Sequence, residues 1–156
     1  MEVRTEISIG DVMQWQSKIS GKEKIMTGVI IVSHSEKLAE GLRDIVMEMN
    51  DGSVEIIAAG GADGERIGTN TLKIKAAVES LAGCDHILIF VDLGSAVLCS
   101  ETAIEMLDEE LQEKVHIVDA PLVEGVVGGV IQATICNDLE QIIATAKEGA
   151  NLKKIC

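Results

Sequence analysis

Gly28-Val-Ile-Ile-Val-Ser-His-Ser-Glu36 decides how this chain is read. Residues 28–33 form a short, β-branched apolar run without alternation, the pattern of a strand buried on both faces. Residues 35–49 then carry Leu38, Leu42, Ile45, Val46 and Met49 on one helical face. The rest of the chain repeats this order. Asn50-Asp-Gly52 breaks the helix, 54–58 reads as a second strand, and a Gly-rich loop covers 60–68. Thr69 is placed to cap a helix running to about 82. A third strand follows at 86–91, a helix at 95–108 and a fourth strand at 115–118. Helical patterning resumes over 121–136 and 139–147. Short apolar strands alternating with helices predict an α/β fold. The expected sheet is open and mostly parallel, with four to five strands and helices on both faces.

Composition removes several functions. The chain has 156 residues, 13 Lys+Arg against 26 Asp+Glu, a net charge of −13 and 47% hydrophobic residues. That charge suits no nucleic-acid partner, because phosphate-backbone affinity comes from Lys and Arg displacing counterions. Trp15 and Phe90 are the only aromatics, too few for a base-stacking platform. No apolar run approaches the roughly 18 residues of a membrane span, and the start lacks a signal-peptide pattern. A cytoplasmic protein is expected. Residues 1–25 balance Arg4, Lys18, Lys22 and Lys24 against Glu2, Glu6, Asp11 and Glu23. They read as an N-terminal extension that frays or packs loosely. The spacing of Ile7, Val12, Trp15 and Ile19 allows a short helix there, and Met26 is a candidate second start. Residues 26–156 read as one domain. Cys84, Cys99, Cys136 and Cys156 show no metal or redox spacing and read as reduced, mostly buried small side chains.

In an open parallel sheet, ligands bind beyond the carboxyl ends of the strands. Those ends carry Ser33-His-Ser35, then Gly60 and Gly61 with Gly68 and Thr69 further on, then Asp92-Leu-Gly-Ser95, then Asp119-Ala-Pro121. His86 opens its strand at the opposite edge, and His116 lies within a strand facing a helix layer. His34 alone falls at the carboxyl edge. Ser33-His-Ser-Glu36 fits the capping box S-x-x-E, which would put His34 in the first helical turn. A helix start stabilises phosphate and disfavours imidazolium, so a neutral, nucleophilic ring is expected. Asp92, from a strand expected nearby, is placed to hold one ring nitrogen; capping the next helix is its alternative role. The glycines serve either as turn residues or to let backbone amides approach a phosphoryl group. Walker, dinucleotide, H-E-x-x-H and G-x-S-x-G patterns are absent, and the histidines are too dispersed for a metal site. What remains suits a covalent phosphohistidine carrier.

These residues carry a resemblance. Gly28-Val-Ile-Ile-Val-Ser-His-Ser35 with Leu38-Ala-Glu-Gly41 resembles the start of the mannose-type enzyme IIA family of the bacterial phosphotransferase system. Ile67-Gly-Thr69, Asp92-Leu-Gly-Ser-Ala96 and Ala120-Pro-Leu-Val-Glu-Gly125 resemble, within it, the phosphotransferase subunits of phosphoenolpyruvate-dependent dihydroxyacetone kinases. The resemblance spans about Met26 to Lys147 and implies an α/β sandwich, usually a homodimer. It implies that His34 accepts a phosphoryl group from the histidine-containing phosphocarrier protein and that Asp92 contacts the imidazole. The phosphoryl group would then pass to ADP on the nucleotide-binding subunit of dihydroxyacetone kinase. Further domains that some members fuse behind this one would come from separate proteins.

Ser35, Thr69, Gly94 and Ser95 are the candidate donors to the phosphoryl oxygens, although Ser35 and Ser95 serve equally as helix caps. No metal and no permanently bound cofactor is expected, only a covalent phosphoryl group on His34. Acidity would either help the chain meet a basic patch on the phosphocarrier or simply keep it soluble. Two other functions fit: a IIA component of a mannose-type sugar transporter, or a non-catalytic anion-binding sensor. The glycines of Glu124-Gly-Val-Val-Gly-Gly129 are expected to mark close helix packing or a subunit contact.

Overall fold

The computed structural model describes residues 26–156. The extension and short helix read over 1–25 lie outside the described residues. Four strands form one sheet: β1 (Thr27–Val32), β2 (Val54–Ala58), β3 (His86–Val91) and β4 (Val115–Val118). Their order is β2-β1-β3-β4 and every pairing is parallel. The helices are α1 (Glu36–Met47), α2 (Thr71–Ser80), α3 (Gly94–Glu105), α4 (Glu109–Gln112), α5 (Leu122–Ile135) and α6 (Leu139–Glu148). A 3₁₀ turn at Gly149–Asn151 follows. The single-turn α4, capped by Asp108, was not anticipated; four residues carry too little periodicity to be read.

β1 is buried along its whole length, as its unbroken apolar run requires. One face of the sheet packs Val29, Ile31, Leu88 and Phe90 against α1, α5 and α6. The other packs Ile30, Val32, Ile87 and Ile89 against α2 and α3. The stripe that α1 buries is Ala39, Leu42 and Val46. Leu38, Ile45 and Met49, expected on that face, are exposed: the first two flank the buried stripe, and Met49 lies beyond the helix end. The glycines of α5 do mark close packing. A Cβ on Gly128 would sit 3.3 Å from the Thr145 carbonyl of α6, and one on Gly129 would sit 3.1 Å from the Phe90 ring. Of the cysteines only Cys84 is buried; Cys99 and Cys136 are half-buried and Cys156 is exposed.

This strand order has one functional consequence. From β1 the chain steps outward to β2, returns across β1 to β3 and continues outward to β4. The strand order therefore reverses between β1 and β3, and such a switch point opens a crevice at the carboxyl edge. Val32 pairs with Val91 at that edge, so the residues after each strand emerge level and side by side. No helix among the described residues is long and apolar enough to cross a membrane.

Candidate functional site

His34 follows β1 and Asp92 follows β3, and the reversal point brings them together. His34 Nδ1 lies 2.8 Å from Asp92 Oδ1. Asp92 Oδ2 accepts the His34 backbone N–H at 3.0 Å and the Ser33 hydroxyl at 2.8 Å. Oδ1 also accepts the Leu93 N–H at 2.7 Å. Burial pushes the Asp92 carboxyl up, but the hydrogen bonds from His34, Ser33 and Leu93 outweigh it and hold it below the ordinary aspartate value. An ionised carboxylate only accepts. The proton on the imidazole therefore sits on Nδ1, and Nε2 carries the free electron pair.

Nε2 faces the start of α3. The Ser95 hydroxyl stands against it as a donor. α3 begins at Gly94 with no side-chain cap and no acid in its first turn. Ser35, Asn70, Asp108 and Asp138 cap α1, α2, α4 and α6, whereas α5, like α3, has no side-chain cap but carries Glu124 in its first turn. The first N–H groups of α3 have no intrahelical acceptor, and the helix dipole adds positive potential there. The histidine side chain is 23% exposed and the aspartate side chain 16%, so the ring is held from behind and open in front. Thr69 completes this edge, its hydroxyl 3.5 Å from Ser95 Oγ and 3.0 Å from Cys99 Sγ.

The 60–68 loop is tied to the same turn. Gly61 donates to the Ser33 carbonyl at 2.9 Å, and Gly68 donates to the His34 carbonyl at 2.8 Å. A Cβ on Gly60 would lie 2.6 Å from the Ser35 carbonyl, so only glycine lets the loop approach α1 this closely. Gly61 adopts φ +78, which other residues rarely tolerate. These glycines act through contact with α1, and not as amides aimed at Nε2. Lys73 seals the junction, donating to the Gly60 carbonyl at 2.7 Å and to Glu36 at 3.2 Å.

The structure places each anticipated residue as follows. His34, Asp92, Ser95 and Thr69 come together at one edge, with Gly94 opening α3 beside them. Ser35 is the α1 cap, its hydroxyl accepting the Leu38 N–H at 3.2 Å. The capping box centred on Ser33 does not form. Ser35 is extended, α1 starts at Glu36, and His34 precedes the helix instead of lying in its first turn. The Ser33 hydroxyl is committed elsewhere: it donates to Asp92 and accepts the Ser35 N–H at 3.0 Å. Thr69 is not a cap either; Asn70 caps α2. Nor does Asp92 cap α3, whose N-cap is Leu93. His86 opens β3 at the far edge as expected. His116 is half-buried within β4, where burial and then neighbouring His86 push its pKa down. Among the described residues no group of three or more His, Cys, Asp and Glu is placed to hold a metal ion.

Ser33 and Cys99 are the contributors that the sequence reading missed. Ser33 was hidden by its fit to a capping motif; Cys99 is signalled only by lying one helical turn beyond Ser95. Ser33 is 1% exposed. Ser33→Ala should lower stability by about 1–2 kcal/mol in a urea titration, because it leaves the Ser35 N–H and one Asp92 oxygen short of a partner. Thermal and chemical unfolding should remain cooperative.

Comparison with known proteins gives the family. The family model described as PTS system fructose IIA component matches residues 28–143. A Listeria innocua protein named phosphoryl donor subunit DhaM of PEP-dependent dihydroxyacetone kinase 2 is 44% identical over 118 residues, 76% of this chain and 94% of that protein. The Escherichia coli K12 phosphoryl donor subunit DhaM of PEP-dependent dihydroxyacetone kinase is 39% identical over 132 residues, 83% of this chain. This chain spans 28% of the length of that relative and of the one from Providencia stuartii. Among solved structures, a crystal structure of a protein of unknown function is 37% identical with a TM-score of 0.74, covering 79% of this chain and 94% of that one. A phosphotransferase system component EIIA from Streptococcus agalactiae shares the fold at 16% identity, with a TM-score of 0.56 and coverage of 81% and 93%.

Proposed function

Because this chain belongs to the PTS system fructose IIA component family, we propose that it is the phosphoryl donor subunit of a phosphoenolpyruvate-dependent dihydroxyacetone kinase, working through a phosphohistidine at His34. The observation that carries this reading is the contact of the Asp92 carboxylate with His34 Nδ1, from which the tautomer follows. Asp92 holds Nδ1–H, and Nε2 points at the uncapped start of α3.

The mechanism has two in-line transfers. In the first, the Nε2 electron pair forms a bond to phosphorus as the N–P bond of the incoming phosphocarrier histidine breaks. The departing ring nitrogen keeps that bonding pair. No proton leaves His34, since Nε2 bears none. The Ser95 hydroxyl gives up its bond to Nε2 and turns to a phosphoryl oxygen. The Gly94 and Ser95 N–H groups and the α3 dipole face the charge on the transferring group, which needs no rearrangement of the protein. Asp92 balances the positive character that the ring gains on phosphorylation. In the second transfer, the N–P bond breaks as a terminal oxygen of ADP, held on the nucleotide-binding subunit, bonds to phosphorus. Nε2 recovers its pair, and Nδ1 has remained protonated throughout. Positioning and charge stabilisation supply the catalysis in both directions.

The test is a reconstitution. The purified chain is incubated with phosphoenolpyruvate, enzyme I and the phosphocarrier, then with the ADP-bearing and dihydroxyacetone-binding subunits. The expected result is acid-labile, alkali-stable label on the chain that disappears as dihydroxyacetone phosphate forms. Label that passes only to a transporter IIB protein would replace this reading with the sugar-transport one. A folded chain that takes no label from active partners would leave the anion-sensor reading.

A further inference from the structure

Cys99 is absorbed by no part of this mechanism, yet it is joined to the nucleophile by an unbroken run of contacts. Its Sγ lies 3.0 Å from Thr69 Oγ1; that oxygen lies 3.5 Å from Ser95 Oγ, and Ser95 stands against His34 Nε2. The direction of the run is set at its far end. Asp92 keeps the proton on Nδ1, so Nε2 accepts and Ser95 must donate to it. Ser95 Oγ then has only electron pairs to offer Thr69, and the Ser95 carbonyl, also 3.5 Å away, can only accept, so the Thr69 hydroxyl hydrogen points toward Ser95. Thr69 Oγ1 has an electron pair left on its other side, where Cys99 Sγ stands at 3.0 Å. The thiol is the group that supplies a hydrogen there.

We propose that Cys99 is a positioning residue for phosphoryl transfer, acting through Thr69. With the thiol donating to Thr69 Oγ1, the hydroxyl hydrogen is kept off Cys99 and on the Ser95 side. It stays aimed at the place the phosphoryl oxygens take up once Ser95 releases Nε2. Cys99 and Ser95 project from α3 one turn apart, so a single rigid helix carries both ends of the arrangement. The proposal rests on the phosphohistidine reading above, and it adds that the thiol sets the aim of Thr69.

The experiment measures the rate at which the full chain takes label from the phosphorylated phosphocarrier. Wild type, Cys99→Ala, Cys99→Ser, Thr69→Val and the Cys99→Ala/Thr69→Val pair are compared at several carrier concentrations. Thermal unfolding of each is recorded alongside. A lost hydrogen bond of this kind predicts about a threefold to tenfold fall in kcat for Cys99→Ala, with KM unchanged. Cys99→Ser should recover most of that loss, since a hydroxyl also donates. In the Thr69→Val background the alanine should add nothing. Wild-type rates in Cys99→Ala, or an undiminished Cys99→Ala effect on top of Thr69→Val, would overturn the proposal. Failure of Cys99→Ser to recover the rate while remaining as stable as wild type would overturn it as well. If wild type itself takes no label on His34, the phosphohistidine reading falls first, and this proposal with it.

Discussion

His34→Ala should abolish phosphoryl uptake, with label from the phosphorylated carrier falling to background in an alkaline-gel or filter assay. The substitution removes the only side chain at this edge with a ring nitrogen pair directed outward. Ser95, Thr69 and Cys99 cannot replace it, because the carboxylate left at this edge, Asp92, is held below the ordinary aspartate value and is too weak a base to take their protons. His86 and His116 lie in β3 and β4, away from the crevice. The fold should survive, since the backbone N–H of residue 34 still reaches Asp92 and the Ser33 bond remains. A circular-dichroism melt close to wild type would exclude unfolding as the cause. Residual label that is stable to acid would indicate an oxygen ester elsewhere and would argue against the assigned nucleophile.

Asp92→Asn is expected to cut the labelling rate by up to about 10,000-fold, the loss seen when the carboxylate that fixes the histidine tautomer of a serine-protease triad becomes an amide. The physical reason is specific to this site. Asp92 accepts from four donors: the His34 ring, the His34 N–H, the Ser33 hydroxyl and the Leu93 N–H. An asparagine has one accepting oxygen and one amide that only donates. If the oxygen faces the ring, the amide points its hydrogens at the backbone N–H of His34. If the amide faces the ring, Nδ1 must accept and the proton moves to Nε2, which removes the nucleophilic pair. Either orientation fails, one structurally and the other chemically.

The same carboxylate also makes stability depend on pH. Its pKa is lower in the folded chain than in the unfolded one, because the hydrogen bonds favour the charged form more than burial disfavours it. Its contribution is therefore complete above the unfolded value, about 3.9. It is lost as pH falls through the lower folded value. The stability gap between wild type and Asp92→Asn should hold constant near neutrality and narrow on acidification below about pH 4. A gap that widened on acidification would contradict the assignment.

Much of this arrangement was legible in the chain itself, for reasons that can be stated. Runs such as 86–91 and 115–118 are short, apolar and β-branched, and the strands fall on those residues. The carboxyl-edge rule then separates His34 from His86 without any geometry. The errors share a cause. Ser33, Thr69 and Asp92 each stand next to a helix start, and short polar residues there match a cap by composition alone. Which one caps depends on where the backbone leaves its extended form. That is decided by the sheet and by the 60–68 loop, neither of which is local information. Ser35 is the cap because Ser33 is held by Asp92, 59 positions away. The Gly60 contact with α1 was out of reach for the same reason: it depends on how two separate segments pack.

The reversal of strand order also bears on how the molecule acquires its activity. β1 with α1 and β2, and β3 with α3 and β4, are each sequence-local pairs whose ends meet across modest loops. His34 and Asp92 belong to different pairs and meet only when β1 docks on β3. Closing that longer loop costs more chain entropy than either helical crossover. A chain in which β1 has not docked on β3 lacks a nucleophile of fixed tautomer. Reactivity at Nε2 is thus a property of the completed sheet. On the phosphohistidine reading proposed above, uptake of a labile phosphoryl group waits until that central seam has closed.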